Sequence, residues 1–337
     1  MTLLLVEGFD HYNSDFYLEA KGWTQSSVYY TSSGRISGKC VYFPYSSPSP
    51  YVAYDWGGTN STIYFGIAIK KAEGGVPTYL ASIPLISFRD EANTNQIKIH
   101  VNSSNGLSVY KGDNTLIEEN TSALFGVGAW NYLTGKITIS ATVGEVTLEF
   151  NGDQIINATS EDTKNGTDYV TKINLMAIFN GLDTYFDDLY IDNSQSHGNC
   201  HVNHFAPDSD SATHTDFERS SGSNDYEMVE DDVPDGDSTY IKSSTVGHIS
   251  TFGITTGSLE TVKGIQVNNL VKVAGAGNRK IKTIVRSNST DYQSAESAGL
   301  PSTYKYEKAI WETDPDDSNP WTQTKLEAAE FGLEITT

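Results

Sequence analysis

The stretch Gly144-Glu145-Val146-Thr147-Leu148-Glu149-Phe150-Asn151-Gly152 decides the fold class. Val146, Leu148 and Phe150 alternate with Glu145, Thr147 and Glu149, which is the period of a strand with one apolar and one polar face. Asn151-Gly152 follows at once, and both residue types tolerate the positive φ that a tight hairpin demands. Gln154 to Ala158 then reads as the returning strand.

The same pattern recurs outward from this hairpin. Ile63, Phe65, Ile67 and Ile69 alternate with Tyr64, Gly66 and Ala68, and Ile97, Ile99 and Val101 alternate with Lys98 and His100. Lys172 to Phe179 leads through a turn at Gly181 into Tyr185 to Asp192. From Met1 to about Asn193 the chain therefore reads as short strands separated by turn clusters, without helical periodicity, the signature of an all-β antiparallel sandwich. Self-similarity at about 20 to 50 residues is absent, so solenoid and propeller readings lack support.

The length of 337 residues suggests two domains. Residues are 37% hydrophobic and 11% aromatic, with 20 Tyr and 13 Phe, so rings carry much of the apolar payload. The 22 basic residues stand against 43 acidic ones, a formal charge of -21 that repels phosphate backbones and anionic membrane surfaces. Nucleic-acid binding is accordingly excluded as an expectation, and no apolar run is long enough for membrane insertion. The opening MTLLLVEGFD lacks the basic start and long apolar region of a secretory signal, so folding is expected where the chain is made. Cys40 and Cys200 are too few and too far apart for a disulfide framework, and they are expected as reduced, packed thiols.

Composition shifts near residue 200. Between Pro207 and Asp237 eleven acidic residues face only Arg219, which reads as a solvated linker or loop, with Tyr226, Met228 and Val229 able to anchor a short strand. The expected domains are thus 1–198 and 199–337, with the acidic segment 207–237 inside the second. Strands resume at Ser238 to Lys242, Val262 to Val273 and Lys280 to Arg286, with Gly275-Ala276-Gly277-Asn278 as a turn joining the last two. Near the end, Lys325-Leu326-Glu327-Ala328-Ala329-Glu330 reads as a short helix capped by Thr322 or Thr324, ended by Gly332 and followed by a terminal strand from Leu333 to Ile335.

Catalytic motifs are missing: there is no G-x-S-x-G, H-E-x-x-H, Walker or G-x-G-x-x-G element. A sandwich glycosidase needs two carboxylates converging on one cleft, and Glu145 and Glu149 instead fit a solvated strand face. Strand alternation puts Asp187 beside Tyr185, Leu189 and Ile191, where a carboxylate must be partnered. Backbone or Tyr hydrogen bonds are the first reading for it, and calcium ligation is the alternative. His197, Cys200, His201 and His204 have zinc-ligand chemistry, but a strand through Cys200 to Phe205 would send Cys200, Val202 and His204 to one face and His201 to the other. Neither a metal nor a cofactor is therefore expected. Tyr42, Phe43, Tyr45, Tyr51, Tyr54 and Trp56 crowd a Ser/Pro-rich stretch. Packing or a subunit interface is one reading of these rings, and a glycan platform centred on Tyr54, Trp56 and Asn60 is the other.

Trp130-Asn131-Tyr132 with Ile137 and Ile139, the Gly144–Gly152 stretch, and Tyr185-Phe186-Asp187-Asp188-Leu189-Tyr190-Ile191-Asp192 resemble the closing strands of the concanavalin A-like (laminin G-like) jelly roll. Nearly the whole chain also resembles a group of tailed-bacteriophage virion proteins. The matching elements are Gly8-Phe9-Asp10-His11-Tyr12, the Asp-Asp-Leu-Tyr strand, Asp225 to Asp231, Asp237 to Ile241, and Asn319-Pro320-Trp321-Thr322 leading to Glu330 to Glu334. That resemblance implies a non-enzymatic, oligomeric component displayed on the particle as a tail-associated, fibre or head-decoration protein. Other virion proteins would be its partners, and assembly would take place in the host cytoplasm. A dedicated carbohydrate-binding protein contacting host surface polysaccharide is the alternative, and a polysaccharide-degrading enzyme ranks third.

Overall fold

The computed structural model describes residues 2–44, 50–72, 78–79, 83–177, 179–180, 183–275 and 277–337. The chain divides into two compact units, one comprising Thr2–Asp10 and Ser14–Val202, the other Asn203–Thr337 with His11–Asn13. Tyr45, Gly181 and Ala276, which figured in the expected aromatic cluster and turns, lie outside the described residues.

Among the described residues the first unit is built from an eight-stranded and a seven-stranded antiparallel sheet. The eight-stranded sheet runs Asp153–Glu161, Gly144–Phe150, Trp130–Thr138, Thr62–Lys71, Thr184–Asp192, Cys40–Phe43, Tyr29–Thr31. Leu3–Glu7 also pairs with Thr184–Asp192. The seven-stranded sheet runs Leu116–Glu119, Leu107–Lys111, Asn95–Val101, Ile86–Arg89, Val170–Met176, Tyr51–Asn60, Trp23–Ser26. The strand alternation read from the sequence holds: Ile63, Phe65, Ile67 and Ile69 are all fully buried. Phe65 meets Phe88 of the other sheet with ring centroids 5.1 Å apart, which identifies this face as the inner one. Burial of each such side chain stabilises by about 1.5–3 kcal/mol.

The hairpin that opens the sequence reading forms as expected. Asn151 and Gly152 take φ of 55° and 92°, and Gly144–Phe150 pairs with Asp153–Glu161. One element went unread: Asp15–Ala20 is a single short helix, too brief to show helical periodicity.

In the second unit, Ser209–Thr215, Ile249–Gly253, Glu330–Ile335, Ile281–Ser287 and Thr290–Gln293 form a five-stranded sheet. Val285, Trp321, Leu326 and Ala329 make its core. Three expectations are corrected here. The acidic segment is a solvated loop only in part: Ser209–Thr215 lies in the sheet and the Asp210 carboxylate accepts from the Asp225 and Tyr226 amides, while Asp216, Glu218, Glu230, Asp231, Asp232, Asp235 and Asp237 are exposed. Tyr226–Met228 is a 3₁₀ turn rather than a strand. Ile265–Val271 pairs with Lys305–Trp311, not with Ile281–Ser287, so the Gly-rich segment between them connects different sheets.

The terminal helix spans Gln323–Ala328, with Thr322 as its cap accepting from the Lys325 amide at 3.3 Å. Gly332 does not end it. The helix stops at Ala328, and Gly332 sits inside the last strand, where a Cβ would lie 1.9 Å from the Ser250 carbonyl oxygen.

Candidate functional site

The platform expected at Tyr54, Trp56 and Asn60 is dispersed by the fold. Tyr54 pairs with Trp23 and Ile173 on the inner face of the seven-stranded sheet and is 3% exposed, so it is core and closed to a ligand. Its ring packs 5.0 Å from that of Trp23. Trp56 and Asn60 are half-buried and satisfy each other, the indole N–H donating to Asn60 Oδ1 at 3.0 Å.

The outer face of the eight-stranded sheet carries a better-formed aromatic surface. Lys70 alternates with inward-facing Ile69, so it points outward with Tyr64, Gly66 and Ala68. Its direct cross-strand partners are Trp130 on one side and Tyr185 on the other. Tyr185 is opposite Tyr42, and Tyr42 is opposite Tyr29. Five adjacent strands thus contribute one residue each to a straight row, Tyr29, Tyr42, Tyr185, Lys70, Trp130, which at the usual strand spacing extends about 19 Å. Tyr29 is 50% exposed and the other four are half-buried.

Contacts along the row are continuous. Ring centroids are 5.5 Å apart for Tyr29 and Tyr42, and 5.3 Å for Tyr42 and Tyr185, whose planes differ by 20°. Lys70 Nζ lies 4.4 Å from the Tyr185 ring centre and 4.7 Å from that of Trp130, within cation–π range. Tyr42 and Tyr185 stack face to face, whereas the Tyr29 ring is tilted by 40° against Tyr42. Burial first, then the charge of Asp183, pushes the phenols of Tyr42 and Tyr185 up, so both stay protonated.

Behind this row a buried polar cluster locks a loop and the post-strand segment onto the same face. The strand Thr184–Asp192 bulges between Asp187 and Tyr190, and Asp188 takes φ of 49°. The bulge corrects the expected placement of Asp187. Asp187 shares the outer face with Tyr185 and Tyr190, while Leu189 and Ile191 turn to the other face. The Asp187 carboxylate accepts from the Arg35 and Asp188 amides at 2.7 and 2.8 Å, as the hydrogen-bonding reading required. Burial, then the adjacent Asp188 charge, pushes its carboxyl upward.

Asp188 accepts from Arg35 Nη1 at 3.1 Å, from the Val202 amide at 2.8 Å, and pairs with His201 Nδ1 at 2.8 Å. That hydrogen bond raises the His201 pKa against the opposing effect of burial. The Arg35 guanidinium lies 4.6 Å over the Tyr132 ring and also donates to the Cys200 carbonyl and Asn199. Gly66 makes room for this layer: a Cβ there would sit 2.2 Å from Tyr190 Cε1. Asp10 accepts from the Lys39 amide, and burial pushes it up to about 6.

The histidine tract is not a strand and does not converge. His197 pairs with Asp192, His201 with Asp188, and His204 stacks on His11 at 5.5 Å. Burial alone would raise Asp192, but bonds from His197, Ser194 and Gln195 outweigh it and hold its carboxyl at about 2. Among the described residues no three His, Cys, Asp or Glu side chains form a metal-holding group. Cys40 is buried and Cys200 half-buried, their thiols donating to the Ser33 and His197 carbonyls. Glu145 and Glu149 bond Lys136 and Thr134 on the exposed hairpin. Among the described residues no helix is long and apolar enough to cross a membrane.

No protein-family model matches the chain, and neither does any curated protein. Solved structures do match at low identity. An endo-β-1,4-glucuronan lyase from the fungus Trichoderma reesei is 13% identical, covering 57% of this chain and 96% of that one with a TM-score of 0.43. The carbohydrate-binding module CBM66 from Bacillus subtilis is 12% identical, covering 51% of this chain and 96% of that one with a TM-score of 0.35. The alginate lyase Aly36B is 9% identical, covering 57% and 98% with a TM-score of 0.38.

Proposed function

We propose that the chain is a non-enzymatic structural protein of a tailed-bacteriophage particle, displayed at its surface, whose first unit holds host glycan on the Tyr29–Tyr42–Tyr185–Lys70–Trp130 row. The row is the observation that carries the glycan reading. Five opposed residues on neighbouring strands repeat at an interval comparable with one hexopyranose unit, and they combine ring area with outward polar groups at little entropic cost. Rigid strands hold the row, so ordering on binding is small. The virion role rests on the ordered series of motifs from Gly8 to Glu334 that resembles phage particle proteins.

A non-catalytic role is favoured by how the sandwich uses its acids. Asp187, Asp188, Asp192 and Glu7 are buried and committed to amides, Arg35, His201, His197, Trp23 and Lys21, which leaves them poorly placed to exchange protons with a substrate.

The test is a glycan array and affinity electrophoresis in host polysaccharide with purified protein. Retarded migration that is lost in Tyr42→Ala and Trp130→Ala, with melting temperatures close to the parent, is expected. Binding that survives both substitutions would move the site elsewhere. Release of reducing or unsaturated sugar ends would make the protein an enzyme. Absence of the chain from purified particles by mass spectrometry would remove the virion role.

A further inference from the structure

Resting on the reading of the row as a glycan site, we infer that its ligand is an acidic polysaccharide, a carboxylate-bearing chain whose charge is read by Lys70. Five groups on the row are donors: the hydroxyls of Tyr29, Tyr42 and Tyr185, the Lys70 ammonium and the Trp130 indole N–H. No hydrogen bond or ion pair engages any of them among the described residues. Elsewhere in the same unit Lys21 pairs with Glu7, Lys111 with Asp113 and Asp162, Lys136 with Glu145 and Lys172 with Asp55, while Lys71 and Lys98 donate to the Phe125 carbonyl and the Asn114 side chain. In a chain with 43 acidic residues against 22 basic ones, a half-buried lysine held between two rings and outside any ion pair among the described residues is a conspicuous local positive charge.

Ring orientation argues the same way. Tyr42 and Tyr185 stack with planes 20° apart, so each gives one ring face to the other and the hydroxyls and the ammonium carry the polar part of recognition. Acceptor-rich groups complement such a comb, and a carboxylate is the strongest acceptor a sugar chain carries. The Tyr42 and Tyr185 phenols, pushed up by burial and Asp183, remain donors through the neutral range. The overall charge of -21 does not forbid this, because charges beyond about 10 Å are largely screened at 0.1 M salt.

The experiment compares polygalacturonate, hyaluronate and alginate, each with its carboxyl-reduced derivative, by calorimetry on the full chain. At least one acidic polymer is expected to bind roughly tenfold tighter than its reduced form, as a charge-assisted hydrogen bond would give. Lys70→Met should erase that preference and Lys70→Arg should retain it. Binding of the acidic form should weaken as NaCl rises from about 0.05 to 0.5 M. Equal or tighter binding of the reduced polymers, or a preference that survives Lys70→Met, overturns the inference and leaves the glycan reading standing. If no polymer binds and the glycan array is blank, the glycan reading fails with it.

Discussion

Asp188 shows how much a single backbone conformation decides. With φ of 49° it turns its carboxylate to Arg35, His201 and the Val202 amide, and its carbonyl accepts from the Tyr132 hydroxyl at 3.0 Å. Removing Arg35 leaves a fully buried carboxylate short of its cation, so Arg35→Ala should destabilise by about 3 kcal/mol in denaturant titration. A loss near zero would mean the cluster is solvated. Asp10 gives a pH test. Its folded pKa of about 6 lies above the ordinary 3.8, so the folded state binds the extra proton between those values. Stability from this group is present at low pH and lost as pH rises through 6. Asp10→Asn keeps the acceptor for Lys39 without the charge. The melting temperature of the parent should therefore fall relative to this variant as pH rises from about 4 to 7. A constant difference would place the Asp10 carboxyl at its ordinary value. The two-residue period marked Asp187 as needing partners, and it has them, but the period could not show that a bulge sends Leu189 and Ile191 to the opposite face.

At the scale of elements, local chemistry was legible wherever turn and cap residues act on their own backbone. Asn151-Gly152 and Thr322 are such positions. Thr322→Ala should cost about 1 kcal/mol, the usual value of a lost N-cap, measured as a shift in denaturation midpoint. No change would mean that packing of Leu326 and Trp321 alone holds the helix. Strand partners were less legible. Ile265–Val271 and Ile281–Ser287 are neighbours in sequence but pair with Lys305–Trp311 and Glu330–Ile335, because pairing follows which apolar faces can be buried together. The acidic segment was legible in part for a related reason: charge density suggests solvation, and Glu230, Asp231, Asp232, Asp235 and Asp237 are exposed, yet Asp210 and Asp225 are bonded to amides and Arg219 within the fold.

Over the whole molecule the formal charge of -21 acts as self-repulsion, which added salt screens. Raising NaCl from about 0.01 to 0.2 M should therefore raise the melting temperature, and a fall would mean that ion pairs such as Arg286 with Asp291 outweigh the repulsion. The amino-acid sequence by itself determined an all-β chain, its strand faces, the Asn151-Gly152 hairpin, the capped terminal helix, the acidic balance and the aromatic wealth. These follow from alternation, turn chemistry and composition, which depend on near neighbours. Only the tertiary structure decided which rings are core and which form a surface. Tyr54 and Tyr185 look alike in sequence, but the first faces Trp23 and Ile173 inside the sandwich and the second stands in an outward row. Alternation states which residues share a face. Whether that face is covered, and which distant strands lie beside it, depends on the order in which five separated segments pair, a property no local stretch contains.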